Sequence, residues 1–155
     1  MAFPEDLLVQ ARVLATLDRT RPKQASLRRA VSTAYYALFH LLTGAAALNW
    51  KPSSQRFAFA RILDHARMYR TSNRVSKLPF PGEPPHIAGQ LRSAASTFSD
   101  LQELRHAADY DGNRKWTRTA VLESIALTEE AFRSWKVVHK KKTAQDYLLQ
   151  FLVQR

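Results

Sequence analysis

The run Leu27-Arg28-Arg29-Ala30-Val31-Ser32-Thr33-Ala34-Tyr35-Tyr36-Ala37-Leu38-Phe39-His40 decides the fold. Leu27, Val31, Ala34, Tyr35 and Leu38 recur at helical spacing, and Leu41, Leu42 and Ala45 continue the same stripe. Such a stripe marks one long amphipathic helix, read here over 24–48, that buries one side against partners of the same kind. No period-2 alternation appears anywhere in the chain. The expectation is therefore an all-α, up-and-down bundle of four to five main helices plus a short C-terminal helix.

The other helices follow outward from this one. A first spans roughly Pro4 to Arg19, with Leu7, Leu8, Ala11, Leu14 and Ala15 inward. A third starts at an N-cap at Ser53 or Ser54 and runs to about Tyr69, with Phe59, Ile62, Leu63, Ala66 and Tyr69 inward. Residues 71–86 look irregular, since Pro79, Pro81, Pro84 and Pro85 fix φ and remove donors. A fourth helix covers about Pro85 to Tyr110 and a fifth about Arg114 to Lys140, with Glu129 and Arg133 able to pair across one turn. Tyr147, Leu148, Phe151 and Leu152 make a last short apolar face. The reading is one domain over 1–155, with its core at about 5–140 and a C-terminal extension at 141–155.

Composition narrows the chemistry. The 155 residues hold 45% hydrophobic residues, enough for a sizeable core. There is no cysteine, which excludes disulfides, thiol catalysis and thiolate-bound metals and suits a cytoplasmic location. The start of the chain is no signal peptide, and no uninterrupted apolar run approaches membrane-spanning length, so no membrane partner is expected. His40, His65, His86, His106 and His139 show no metal-ligand spacing, and no glycine-rich phosphate loop is present; neither metal nor cofactor is expected. The net charge is +11, and residues 1–77, with 13 basic and 4 acidic groups, carry +9 of it. A field of that sign favours polyanions, nucleic acid first.

Two constellations stand out. Arg29, Thr33, Tyr36 and His40 lie at i, i+4, i+7 and i+11, a polar row on the reverse of the core stripe. At the end of the fourth helix, Arg105 and Asp109 continue the stripe of Leu91, Ala95 and Phe98. Charges at a core face must be paired, so Arg105 and Asp109 are expected to meet each other, or Tyr36 or His40. Arg56, Arg67, Arg70 and Arg74 form a basic flank suited to sequence-independent phosphate contacts.

Ala34-Tyr35-Tyr36-Ala37-Leu38-Phe39-His40 resembles the AYYAxFH signature of HEPN domains (higher eukaryotes and prokaryotes nucleotide-binding). Arg105-His106-Ala107-Ala108-Asp109-Tyr110 resembles the R-x-x-A-D-Y segment that closes a later helix in that family. The resemblance implies a helical bundle, often homodimeric, with the arginine-bearing helix end in a cleft. It also implies either metal-independent ribonuclease activity through an Arg-x(4–6)-His motif, or a non-catalytic role beside a small nucleotidyltransferase, as in toxin–antitoxin pairs. Here the positions for that histidine hold Tyr110, Asp111 and Gly112, and His106 sits about 100° round the helix from Arg105. The expectation is a HEPN-like, non-catalytic domain that binds RNA, a nucleotide or a partner nucleotidyltransferase in a cleft of Arg105, Asp109, Tyr110, Tyr36, His40 and Arg29. The alternatives are a ribonuclease using Arg105 and His40, and a structural dimeric adaptor in which Arg105–Asp109 is an internal lock.

Overall fold

In the computed structural model, which describes residues 2–153, the chain is an all-α helical bundle with seven α-helices and no strand among the described residues. They are α1 (Phe3–Ala15), α2 (Gln24–Leu48), α3 (Arg56–Arg61), α4 (His65–Val75), α5 (Pro85–Tyr110), α6 (Arg118–Val138) and α7 (Lys142–Gln150). A 3₁₀ turn at Ser53–Gln55 leads into α3.

The apolar stripe of α2 places that helix at the centre, packed on α1, α5 and α6 along its length and on α3 and α7 near its end. Leu27, Val31, Ala34, Tyr35, Leu38 and Leu42 are completely buried. Burial at roughly 1.5–3 kcal/mol per large apolar side chain makes this stripe the main source of helix stability. By length and composition α2 could also cross a membrane, but 56% of its apolar window is buried inside the bundle.

The core has two lobes. The first half of α2 packs on Ala11 and Ala15 of α1, Val121 and Ile125 of α6, and Trp116. The second half meets Met68 of α4, Phe98 of α5, Phe132 and Trp135 of α6, and Tyr147 and Phe151. Tyr147 and Phe151 are essentially inaccessible. The apolar core thus extends past residue 140, and 141–151 is part of the bundle rather than an appendage to it.

Three local expectations are corrected. The third helix is not continuous: the chain breaks after Arg61 and restarts at His65, because the Asp64 carboxylate accepts from the backbone N–H groups of Ala66 (2.7 Å) and Arg67 (3.3 Å). A side chain that caps a new helix competes with continuation of the old one. The restart resets the helical phase, so Ile62 and Ala66 are exposed while Phe59, Leu63 and Met68 are buried. Residues 71–75 are helical, not irregular. Their polar side chains hide the pattern but find partners across the bundle, Ser72 Oγ with Tyr147 Oη at 2.6 Å and Thr71 Oγ1 with the Gln150 carbonyl at 3.4 Å. Finally, Glu129 pairs with Arg12 of α1 instead of Arg133, a tertiary partner that helical spacing could not reveal.

Candidate functional site

The expected cleft separates into an open groove and an internal cluster, and Tyr36 touches both. The groove, about 490 Å³, lies between the first half of α2 and the last turns of α5. Arg28, Arg29, Ser32 and Tyr36 form one wall, Asp109 and Tyr110 the other. It therefore brings together four of the six expected cleft residues: Arg29, Tyr36, Asp109 and Tyr110.

Each wall is held by identifiable bonds. The Arg28 guanidinium donates to the carbonyls of Ala108 (2.9 Å) and Arg114 (2.7 Å). It thereby places a cation on the electronegative C-terminal end of α5 and satisfies a carbonyl there. The Gln24 side-chain amide donates to the Trp116 carbonyl and accepts from the Trp116 N–H, both at 2.8 Å, tying the loop after α5 to the start of α2. Ser32 Oγ donates to Asp109 Oδ1 at 2.6 Å, and Arg105 Nη1 approaches Asp109 Oδ2 at 3.5 Å. Asp109 is thus engaged on both oxygens. Arg29 is exposed, and Tyr110 is 71% exposed with its ring 4.9 Å from that of His106.

Arg105 stands behind the groove wall, with its side chain only 12% exposed. Its Nη2 donates to Gln102 Oε1 at 3.1 Å. Its guanidinium carbon lies 5.1 Å from the Tyr35 ring centre and 5.9 Å from that of Tyr36, within cation–π range. Its Nε is buried without a hydrogen-bond partner. Arg105 therefore orients Asp109 and Tyr36 more than it presents a charge to solvent.

The internal cluster contains a residue the sequence reading did not select. His65, the first residue of α4, stacks on Phe39 (centroids 4.1 Å apart, planes at 13°). Its Nδ1 is 2.6 Å from Tyr35 Oη. Burial, helped by the positive charge of Arg105, holds the His65 pKa below its ordinary value. Burial also pushes the Tyr35 phenol well above the usual tyrosine range. Both shifts keep the pair uncharged, a protonated Tyr35 and a neutral His65 sharing one hydrogen bond whose donor is set by the imidazole tautomer. His40 lies between Tyr36 (6.4 Å) and Phe3 of α1 (5.0 Å), off the groove, and burial lowers its pKa too.

The basic flank lies elsewhere. Arg56 Nε donates to the Trp50 carbonyl at 3.0 Å, and Arg74 donates to Gln150 Oε1. Arg67 and Arg70 lie near the Asp64 carboxylate, and the Arg67 Nε is buried without a partner. Ser32, Arg28 and His65 escaped the sequence reading because each acts through a partner distant in the chain, whereas Gln102 meets Arg105 one turn on in the same helix. The one local signal was Asp64, an N-cap type immediately before His65.

Known proteins supply no further bearing on the site: no family model, no curated protein and no solved structure matches this chain.

Proposed function

We propose that this chain is a HEPN-like domain that binds single-stranded RNA, without cleaving it, in the groove between α2 and α5. The observation that carries the reading is the composition of that groove: an exposed arginine, Arg29, lining it together with two tyrosines, Tyr36 and Tyr110. Splayed bases stack on aromatic faces while cations take the phosphates, and neither contact needs a base sequence. The overall charge of +11 supplies the long-range attraction. The groove's carboxylate is already held by Ser32 and Arg105, so Asp109 is not a free general base.

The test is anisotropy of a labelled short single-stranded RNA titrated at several salt concentrations. Arg29→Ala should make the log–log salt slope shallower by roughly 0.7, one phosphate contact on a single strand. Tyr110→Ala should cost about 1–3 kcal/mol for a lost stack. Wild-type affinity in both variants would remove the groove from the binding site.

A second reading, a metal-independent ribonuclease, is favoured by one specific observation. His65 hydrogen-bonds Tyr35, whose ring faces the Arg105 guanidinium, and His40 is near enough for its charge to act on His65. It requires RNA cleavage that persists in EDTA and disappears when Arg105, His40 or His65 is replaced.

A further inference from the structure

At the opposite end of α2 from the RNA groove the molecule carries a second concave surface. Two adjoining cavities, about 470 and 190 Å³, share Trp50, Phe59 and Leu152 and so form one apolar groove between α3 and α7. Its floor is the Trp50–Phe59 stack (centroids 5.0 Å, planes at 24°), with the indole N–H of Trp50 donating to Gln55 Oε1 at 3.1 Å. Its walls leave Ile62 66% and Leu149 60% exposed, and Phe57 of the same short helix is 77% exposed. Contiguous apolar side chains left in water on a folded protein mark an interaction surface.

The rim identifies the occupant. Lys51, Arg56 and Arg61 are the chain neighbours of the lining residues Trp50, Gln55 and Ile62, with Arg56 held to the Trp50 carbonyl and Arg61 over the Phe57 ring, and among the described residues none of the three is in an ion pair. Residues 49–63 contain these three cations and no acidic residue. A second copy of the chain would bring the same cations against this rim, and like charges oppose that contact. A flat lipid surface does not fill a concave groove walled by helices. RNA offers no apolar stripe to fill it.

We propose that this groove receives an amphipathic helix of a partner protein whose apolar stripe is flanked by Asp or Glu. Leucine-like side chains of the helix enter between α3 and α7, and its carboxylates meet Lys51, Arg56 and Arg61. This is the helix-in-groove mode of recognition, with electrostatic complementarity selecting the partner. The site is independent of the RNA-binding reading and shares no residue with it.

Trp50 supplies the probe. It is 42% exposed, whereas Trp116 and Trp135 are 5% and 4% exposed, so a change in indole emission reports on this groove. The full chain is titrated with a designed peptide of about five helical turns carrying leucines on one stripe and glutamates beside it. Controls are the same peptide with lysines for the glutamates, and vesicles of phosphatidylcholine and phosphatidylserine. The expected result is a saturable blue shift with the glutamate peptide, weakened by added salt, and at least about tenfold weaker binding of the lysine peptide. Ile62→Asn, at a mostly exposed position that leaves the core intact, should weaken the glutamate peptide by roughly tenfold. Arg61→Glu should shift preference toward the lysine peptide. Equal affinity for the two peptides overturns the proposal. So does a blue shift with vesicles and none with peptide, or a doubling of solution mass that Ile62→Asn abolishes.

Discussion

Replacing Arg105 by alanine separates a positioning residue from an internal lock, and the structure sets the size of the effect. The side chain donates to Gln102 at 3.1 Å, lies 5.1 Å from the Tyr35 ring, and makes only a long, 3.5 Å approach to Asp109. A hydrogen bond from a charged donor is worth about 1.5 kcal/mol or slightly more. The cation–π contact is worth about 1 kcal/mol. An ion pair at i,i+4 with a partly exposed partner is worth about 0.5 kcal/mol. Against these, alanine removes a buried, unpartnered Nε whose desolvation costs the native state about 1 kcal/mol. The net is about 2 kcal/mol of destabilisation. Asp109 is not stranded, because Ser32 still donates to it at 2.6 Å and its side chain is 34% exposed. Urea unfolding followed by circular dichroism should show the midpoint shifted with an unchanged slope. Thermal unfolding should fall by roughly 4–8 °C, at about 2–4 °C per kcal/mol for a chain of this size. RNA affinity should drop less than in Arg29→Ala, since Arg105 stands behind the wall. A loss above about 4 kcal/mol, the size of a broken buried pair, would refute this reasoning and support the internal lock. A larger loss of RNA affinity than in Arg29→Ala would refute the positioning role.

Other outcomes follow from the same contacts. Tyr147→Phe should cost about 1–2 kcal/mol in urea unfolding, because it strips the buried Ser72 hydroxyl of its 2.6 Å partner. Tyr69→Phe, which loses only an exposed bond to Glu103, should stay within about 0.5 kcal/mol. Asp64→Ala should cost about 1 kcal/mol as a lost N-cap. It should also lower the His65 pKa further in an NMR titration, since the Asp64 charge raises it. Stability should be flat between about pH 6.5 and about pH 9 and fall as pH drops below that window. The reason is that His40 and His65 have folded pKa values below the ordinary 6.5, so below that window the unfolded chain binds more protons. Asp18 and Asp64, lowered by backbone hydrogen bonds, lose their contribution only below their ordinary 3.8. A thermal midpoint unchanged between pH 7.5 and about 5.5 would contradict the half-buried, neutral histidines.

The sequence by itself determined the helical class, the limits of α2 and α5, and the apolar stripe of α2, because periodicity is local and burial is periodic. It also determined which polar residues lie on the reverse of α2, so Arg29 and Tyr36 were legible as wall residues, with Asp109 and Tyr110 at a helix end. Helical geometry alone states those positions. What only the tertiary structure decided is which helix faces which. Asp109 is held by Ser32, 77 positions away, and Arg28 reaches a carbonyl 80 positions away. His65 meets Tyr35 because Asp64 restarts a helix that the apolar pattern alone would have carried through. His40, in line with Tyr36 on the helical wheel, turns toward Phe3 and away from the groove. Spacing along one helix orders its own side chains; it carries no information about the phase and height at which the next helix docks.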